Sequence, residues 1–495
     1  MEAAQPQEPS TLGTRISIAL LVISLAALTA AVAANAPLKL IAPVLMIVVV
    51  GALSWRAITP WPRLLSLMIV VILFIPIRRY VLPFRVGIQM EPYRLLVALI
   101  VGGWFVSLLV DRRVRFRRCG FEGPILLLFV TAIVSEAANH ARFASVQSIA
   151  IKQLSFLLSF IVIVYVIVSV IHTWEQVERL VRVLVGGAAI IGFLTLVESR
   201  TQYNIFDHLQ QLIPILRWQP LPDTGNDGRG YRALASAQHP IPLGAALVML
   251  IPLAVYLIKS TGQKRWWFAA ALLLLGALVT RSRTAVFVLV VVTIVYAFQR
   301  PRDVKKLWPA LIPMLLALHI AAPGTFGSIK GSLFPKGGLV ASEDQGAGTR
   351  GSGRVADLGP GIKEWKQKPF VGEGYGTRVV DGPQANAPIL DDEWLTTLLE
   401  SGFFGAFAWL WLFIRAHRRF RRAAKADATA RGWLFTGLAA SVSGYAWSMA
   451  TYDSFAFIQV SFLLFLELAF GAVLLRATAE AAAAAREAPA TAPPG

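Results

Sequence analysis

From about residue 16 to about residue 476 the chain repeats one pattern: a long run of Leu, Val, Ile, Ala and Phe, then a short charged or Gly- and Pro-containing break. Runs near 16–34, 38–54, 64–78, 93–110, 122–138, 152–171 and 181–198 form a first group. Those near 239–258, 266–280, 284–299, 307–322, 393–415, 432–449 and 455–475 form a second. Most approach the length, about 20 residues, that a helix needs to cross roughly 30 Å of hydrocarbon. The pattern predicts an all-α polytopic membrane protein with about 12–14 transmembrane helices and a large extracytoplasmic loop between late helices. The run at 16–34 has no small-residue cleavage site and is followed at once by another, so it reads as a retained helix and not a signal peptide. No internal repeat divides the chain into halves.

Charge fixes the orientation. Of 47 Lys and Arg, 26 fall in the short segments that share a side with the amino terminus, and 9 in the short segments of the other side. Basic residues in short loops stay on the cytoplasmic side, so both termini are expected inside. The remaining 12 lie in two long loops, 199–238 and 323–392, which then face outward. The expected organisation is a cytoplasmic amino terminus over 1–15, one transmembrane domain over 16–476, and an Ala-rich disordered cytoplasmic tail over 477–495. In a bacterium the location would be the cytoplasmic (inner) membrane.

Composition removes other classes. The chain is 56% apolar and 15% charged, with a mean hydropathy of +0.62, whereas soluble domains carry about 25% charged residues. The net charge of +19 is accounted for by the short loops, so no nucleic-acid partner is expected. A single cysteine, Cys119, rules out a disulfide framework within the chain. There is no GxxxxGK[ST] phosphate loop, no HExxH and no cytoplasmic segment long enough for a nucleotide-binding domain. Six histidines are scattered, and His239, just before Pro240, reads as a residue that starts a helix.

Chemistry concentrates in the outward loops. Arg281 and Arg283 sit in TRSRTA between two apolar runs, where the positive-inside rule gives no reason for cations. Arg229 and Arg232 form a second such pair ahead of the next run. Guanidinium groups hold phosphate in a forked geometry, so converging arginines make a diphosphate site that needs no metal; each alone could equally reach headgroup phosphate. The loop 323–392 contains a helix-like piece, Arg354–Lys368, which places Trp365 at headgroup level. Next comes PFVGEGYGT, whose Gly372, Gly374 and Gly376 permit tight turns or close approach of backbone to a ligand. The loop ends in Asp391-Asp392-Glu393 at the mouth of a span. Three carboxylates there admit three readings: complementing the helix dipole, holding a divalent metal, or facing substrate.

Four stretches, in order, carry a resemblance. They are Arg232-x-Leu-Ala-Ser-x-x-His-Pro-x-x-Leu-Gly; Ser282-Arg283 opening a span; Arg354…Trp365…Pro369-Phe370-x-Gly372-x-Gly374-x-Gly376; and Asp391-Asp392-x9-Gly402-x-x-Gly405. Over about 230–415 the chain resembles the superfamily of O-antigen ligases and Wzy-type polymerases, bacterial envelope glycan enzymes. The resemblance implies a metal-independent, cofactor-free, inverting glycosyl transfer at the outer membrane face. The donor would be a polyprenyl-diphosphate-linked oligosaccharide and the acceptor a hydroxyl of a glycan or lipid, both met at the bilayer. It implies that Arg232, Arg283 and Arg354, with Arg229 and Arg281, hold the diphosphate. The family places His and then Asn, Ser or Gln ahead of x9-Gly-x-x-Gly, where this chain has Asp391 and Asp392; a carboxylate also serves as a general base toward a hydroxyl. A transporter or flippase of a lipid-linked anion is the alternative, and it predicts repeats and broken helices around a midplane site.

Overall fold

The computed structural model describes residues 61–219, 231–307 and 354–487, apart from 84 and 87, with isolated positions between 309 and 331. The runs expected at 16–34 and 38–54, and nearly all of that at 307–322, lie outside the described residues. In chain order the helices are α1 (Trp61–Phe74), α2 (Pro92–Val110), α3 (Glu122–Ala138), α4 (His140–Ser145), α5 (Gln147–Val170), α6 (Trp174–Thr201), α7 (Leu209–Leu212) and α8 (Pro240–Thr261). There follow α9 (Lys264–Val279), α10 (Arg283–Gln299), α11 (Pro301–Leu307), α12 (Arg354–Trp365), α13 (Glu393–Ala426), α14 (Ala430–Ser448) and α15 (Ile458–Glu487). Six of these, α2, α5, α6, α8, α13 and α15, are long and apolar enough to cross a membrane. The chain is an all-α polytopic membrane protein, and the helices fall where the apolar runs predict them.

The ends of the spans follow from local chemistry. Thr173 and Gln176 form a reciprocal capping box that starts α6, and Gly262, at φ +67°, closes α8. His239 starts α8 as expected, its Nδ1 accepting the Ile241 N–H at 3.2 Å. Inside α8, Pro252 cannot donate to the helix ladder, which leaves carbonyls one turn back in need of other partners. Ser441 of α14 donates to the Met249 carbonyl at 2.5 Å.

The bundle packs α8 against α9 and α14, α14 against α10 and α13, α13 against α3, and α5 against α15. Helix α15 is the most enclosed span, with 94% of its apolar window buried. It also corrects one expectation: it continues to Glu487, so residues 477–487 are helical and not part of a disordered tail. Their alanines have the highest helix propensity, and the helix simply extends out of the bundle. Strand structure among the described residues is confined to two-residue pairings, β1 (Tyr80–Val81) with β4 (Arg217–Trp218) and β2 (Arg85–Val86) with β3 (Ile88–Gln89), both antiparallel. The first joins the segment after α1 to the long loop after α6 at one end of the bundle.

Candidate active site

Helix α13 organises that end. Its ladder is broken at Gly402, which adopts φ +64° and ψ −164°. A break inside a span frees backbone groups that lipid cannot satisfy. The segment 369–377 lies in the gap as a strap and satisfies them. The N–H groups of Glu373 and Gly374 donate to the carbonyls of Leu399 and Glu400, at 2.8 and 3.2 Å. The N–H groups of Phe403 and Phe404 donate to the carbonyls of Pro369 and Phe370, at 2.8 and 3.4 Å. Backbone meets backbone so closely that a Cβ at Gly402 would stand 2.3 Å from the Phe370 carbonyl, and one at Gly372 would stand 2.5 Å from that of Glu400. The motif glycines Gly372, Gly374 and Gly376, all at positive φ, thus line a strap whose close approach is to a helix of the same chain. Asn139 donates to the Gly372 carbonyl at 2.9 Å, and Ser135 to that of Glu400 at 2.5 Å, which ties the end of α3 to the strap and to α13.

The strap carries a buried charge. Glu373 pairs with Arg142 of α4 at 2.5 Å and lies 3.6 Å from Arg378, whose guanidinium also pairs with Glu364 of α12. Burial pushes the Glu373 carboxyl above its ordinary range, against the pull of the Arg142 guanidinium. Helix α12 is held over the head of α13, with Gly361 against the Leu395 side chain. Trp365 packs against Leu390, Leu395 and Leu399, and its indole N–H donates to the Pro369 carbonyl at 3.0 Å. The indole is therefore turned toward the protein and half-buried. Burial, and then the charge of Asp391, raise the Asp357 carboxyl of α12.

The three consecutive acids divide their tasks. Asp392 is the N-cap of α13, accepting the Leu395 N–H at 3.1 Å, and both Asp391 and Asp392 are half-buried. Glu393 is buried; it donates its N–H to the Met449 carbonyl at 2.7 Å and accepts the Phe455 N–H at 3.0 Å. Glu393 also lines a cavity of about 460 Å³ between α3, α5, α13 and the strap. Glu400 and Asp453 stand in the same wall, and Arg78, Lys152 and Arg378 supply its positive charge. Arg78 holds a left-handed backbone at φ +66° while its N–H donates to Glu91 at 2.8 Å; strain of this kind collects at sites where geometry is fixed by the surroundings.

The arginines after α9 and before α8 meet on the same end. Arg232 Nε donates to the Thr280 carbonyl at 3.2 Å, against the turn that holds Arg281, at φ +51°, and Arg283, the first residue of α10. A polar clamp positions Arg232: Glu198 of α6 accepts from Tyr231 Oη and the N–H groups of Leu234 and Ala235, at 2.9, 3.2 and 2.7 Å. Arg79 donates to the carbonyls of Ala235 and Ala237 and pairs with Asp207 at 2.8 Å. Thr284 then donates to Thr451 at 3.0 Å, and the 449–455 loop binds Glu393, so a short chain of contacts links the arginine turn to the acids. Arg281, Arg283, Arg232, Asp391 and Asp392 are not among the described wall residues of the cavity; Asp391 and Asp392 lie in sequence between its wall residues Leu390 and Glu393. Arg354 begins α12, while its side chain and the whole of Arg229 lie outside the described residues.

Sequence reasoning missed Glu198, Arg79, Arg78 and the Arg142–Glu373 pair. Arg78-Arg79 show the same signal as Arg281 and Arg283, close cations in a segment that the expected orientation places on the outer side.

Residues 268–410 match the family model for O-antigen ligase. Over that segment the chain is similar to the O-antigen ligase family. It is just under a third of the chain and contains the Arg281–Arg283 turn, the strap, the Asp391-Asp392 pair and the break at Gly402, while Arg232 precedes it. No curated protein matches the chain. The O-antigen ligase match supports a glycan ligase or polymerase type of function in a membrane setting.

Replacing Gly402 by Ala should lower stability by roughly 1–3 kcal/mol or more, since the strain of positive φ adds to a direct overlap with the strap. Thermal unfolding of the detergent-solubilised protein measures it, and an unchanged midpoint would show that the strap does not occupy the break.

Proposed function

We propose that the protein is an integral-membrane glycosyltransferase of the O-antigen ligase and polymerase type. It moves a glycan from a polyprenyl-diphosphate carrier to an acceptor hydroxyl on the outer face of the cytoplasmic membrane, with inversion and without a metal. The observation that supports this reading is the contact chain from Arg232 and the Arg281–Arg283 turn, through Thr284 and Thr451, to the acids at the head of α13. The family match over 268–410, which contains the Arg281–Arg283 turn and the acids, supports a glycan ligase or polymerase type of function.

The step balances as follows. The acceptor oxygen bonds to the anomeric carbon as the bond from that carbon to the diphosphate breaks. The acceptor proton passes to Asp391, and the charge developing on the diphosphate is held by Arg232 and Arg283, with Arg281, Arg229 and Arg354 as further members of the set. Asp392 is committed to capping α13, so its part is to hold Asp391 in place. The walls of the cavity, with Glu393, Glu400 and Asp453 on one hand and Arg78, Lys152 and Arg378 on the other, offer hydrogen bonds to sugar hydroxyls. Helix α12 and the loop that follows it, 366–392, cover the sugar and limit attack by water. A flippase reading would take the break in α13 as a transport site, but the strap already occupies the backbone groups freed there.

Incubating the purified protein with a defined prenyl-diphosphate oligosaccharide tests the proposal; a product ladder means chain extension and a single conjugate means ligation. Arg283→Ala and Asp391→Asn should each reduce transfer by about 10²-fold or more. Arg283→Lys should remain impaired because a point charge cannot reproduce the fork. Asp392→Asn should retain most activity, since Asn caps a helix about as well as Asp. Full activity in both Arg283→Ala and Asp391→Asn would remove the assignment. Orientation is tested separately: in a Cys119→Ser background, Gln345→Cys should react with an impermeant maleimide on intact cells, and reaction only after permeabilisation would reverse the topology.

A further inference from the structure

The opposite end of the bundle carries a second built site. Arg419 is 26 residues along α13 from Glu393, about 39 Å at 1.5 Å per residue. There a cavity of about 540 Å³ is lined by five arginines, Arg115, Arg117, Arg118, Arg419 and Arg476. The loop 112–118 supplies three, α13 one and α15 one.

Ordinary positive-inside arginines are solvated and scattered. Two of these are fixed by backbone carbonyls. Arg419 donates to the Gly120 carbonyl at 2.7 Å, and its guanidinium stands over the Phe121 ring at 5.5 Å. Arg476 donates to the carbonyls of Val168 and Ile171 at 2.8 and 3.0 Å, where α5 ends. A carbonyl orients a guanidinium without neutralising it. Glu480 is the one acid among the described wall residues, 3.6 Å from Arg117 and 3.7 Å from Arg476, with its side chain 60% exposed. Five positive charges, two of them held in place by backbone carbonyls, against one peripheral carboxylate make a site for phosphate.

The apolar part of the wall narrows the ligand. Phe116 is 61% exposed and stacks on Tyr165 with centroids 4.9 Å apart, and Leu475 lies in the same wall. A cationic pocket bordered by exposed aromatic surface at the end of apolar helices matches a molecule with a phosphate head and hydrocarbon chains. We propose that this cavity binds the headgroup of an anionic phospholipid, one bearing two phosphates being the best match to its charge. The site is independent of the reaction proposed above.

Native mass spectrometry of the full-length protein in detergent tests it, with cardiolipin, phosphatidylglycerol, phosphatidylethanolamine or inorganic pyrophosphate added in turn. Cardiolipin should bind in preference to phosphatidylethanolamine. Arg115→Gln with Arg118→Gln, both exposed side chains in the cavity wall, should weaken cardiolipin binding roughly tenfold or more, at about one Lys or Arg equivalent each. Arg112→Gln with Arg113→Gln removes the same charge from the same loop outside the wall and should leave binding unchanged. Glu480→Gln should tighten it several-fold, a gain that no folding defect imitates. Equal weakening by the two double variants would overturn the site in favour of general loop charge. Binding of phosphatidylethanolamine or of pyrophosphate as tightly as cardiolipin would overturn the ligand.

Discussion

An unpaired backbone amide inside a bilayer costs several kcal/mol, and the break at Gly402 would leave several of them. The arrangement of the loop-bearing end follows from how that requirement is met. Because the strap 369–377 supplies both the donors and the acceptors, it is part of the span's own hydrogen-bond ladder and not an accessory laid over it. The buried Glu373 and the helix α12 take their positions from the strap, since Arg142, Arg378 and Trp365 all bind to it or beside it.

A second clamp uses the same principle with charges. Glu198 at the end of α6 gathers amide N–H groups and Arg79 gathers carbonyls from the stretch 231–237. One buried acid and one buried base therefore hold an irregular segment by its main chain, leaving Arg232 to lean on the turn at Thr280. Charged hydrogen bonds to backbone are stronger than neutral ones, which suits a loop that must hold a guanidinium at a fixed place.

The spans were legible because their signal is local: apolar length and the residues that cap it. The acid run and the arginine turn were legible because charge at that end of a span contradicts the surrounding pattern. What joins them was not. Thr284 and Thr451 are separated by 167 positions, and Arg142 and Glu373 by 231; no spacing rule reaches that far. The glycines of the strap signalled a close approach, but sequence carries no statement of whether the approaching partner is a ligand or the protein itself. Trp365 likewise signalled an aromatic anchor, but not that its indole would bind the Pro369 carbonyl and pack on three leucines.

Phe370 of the strap is exposed and lies 6.0 Å, ring to ring, from Phe404, next to a row formed by Phe403, Phe407, Leu410 and Ile414 on the outward side of α13. That row is the flank a helix turns toward hydrocarbon. Gly402 itself is 13 residues, about 20 Å, from the arginines that begin at Arg415. The strap thus meets α13 within the length of its apolar run, as a re-entrant hook would. For the prenyl-linked donor proposed above, such a hook opens the neighbouring chamber from the side, so that the anchor stays immersed and only the sugar end rises toward water.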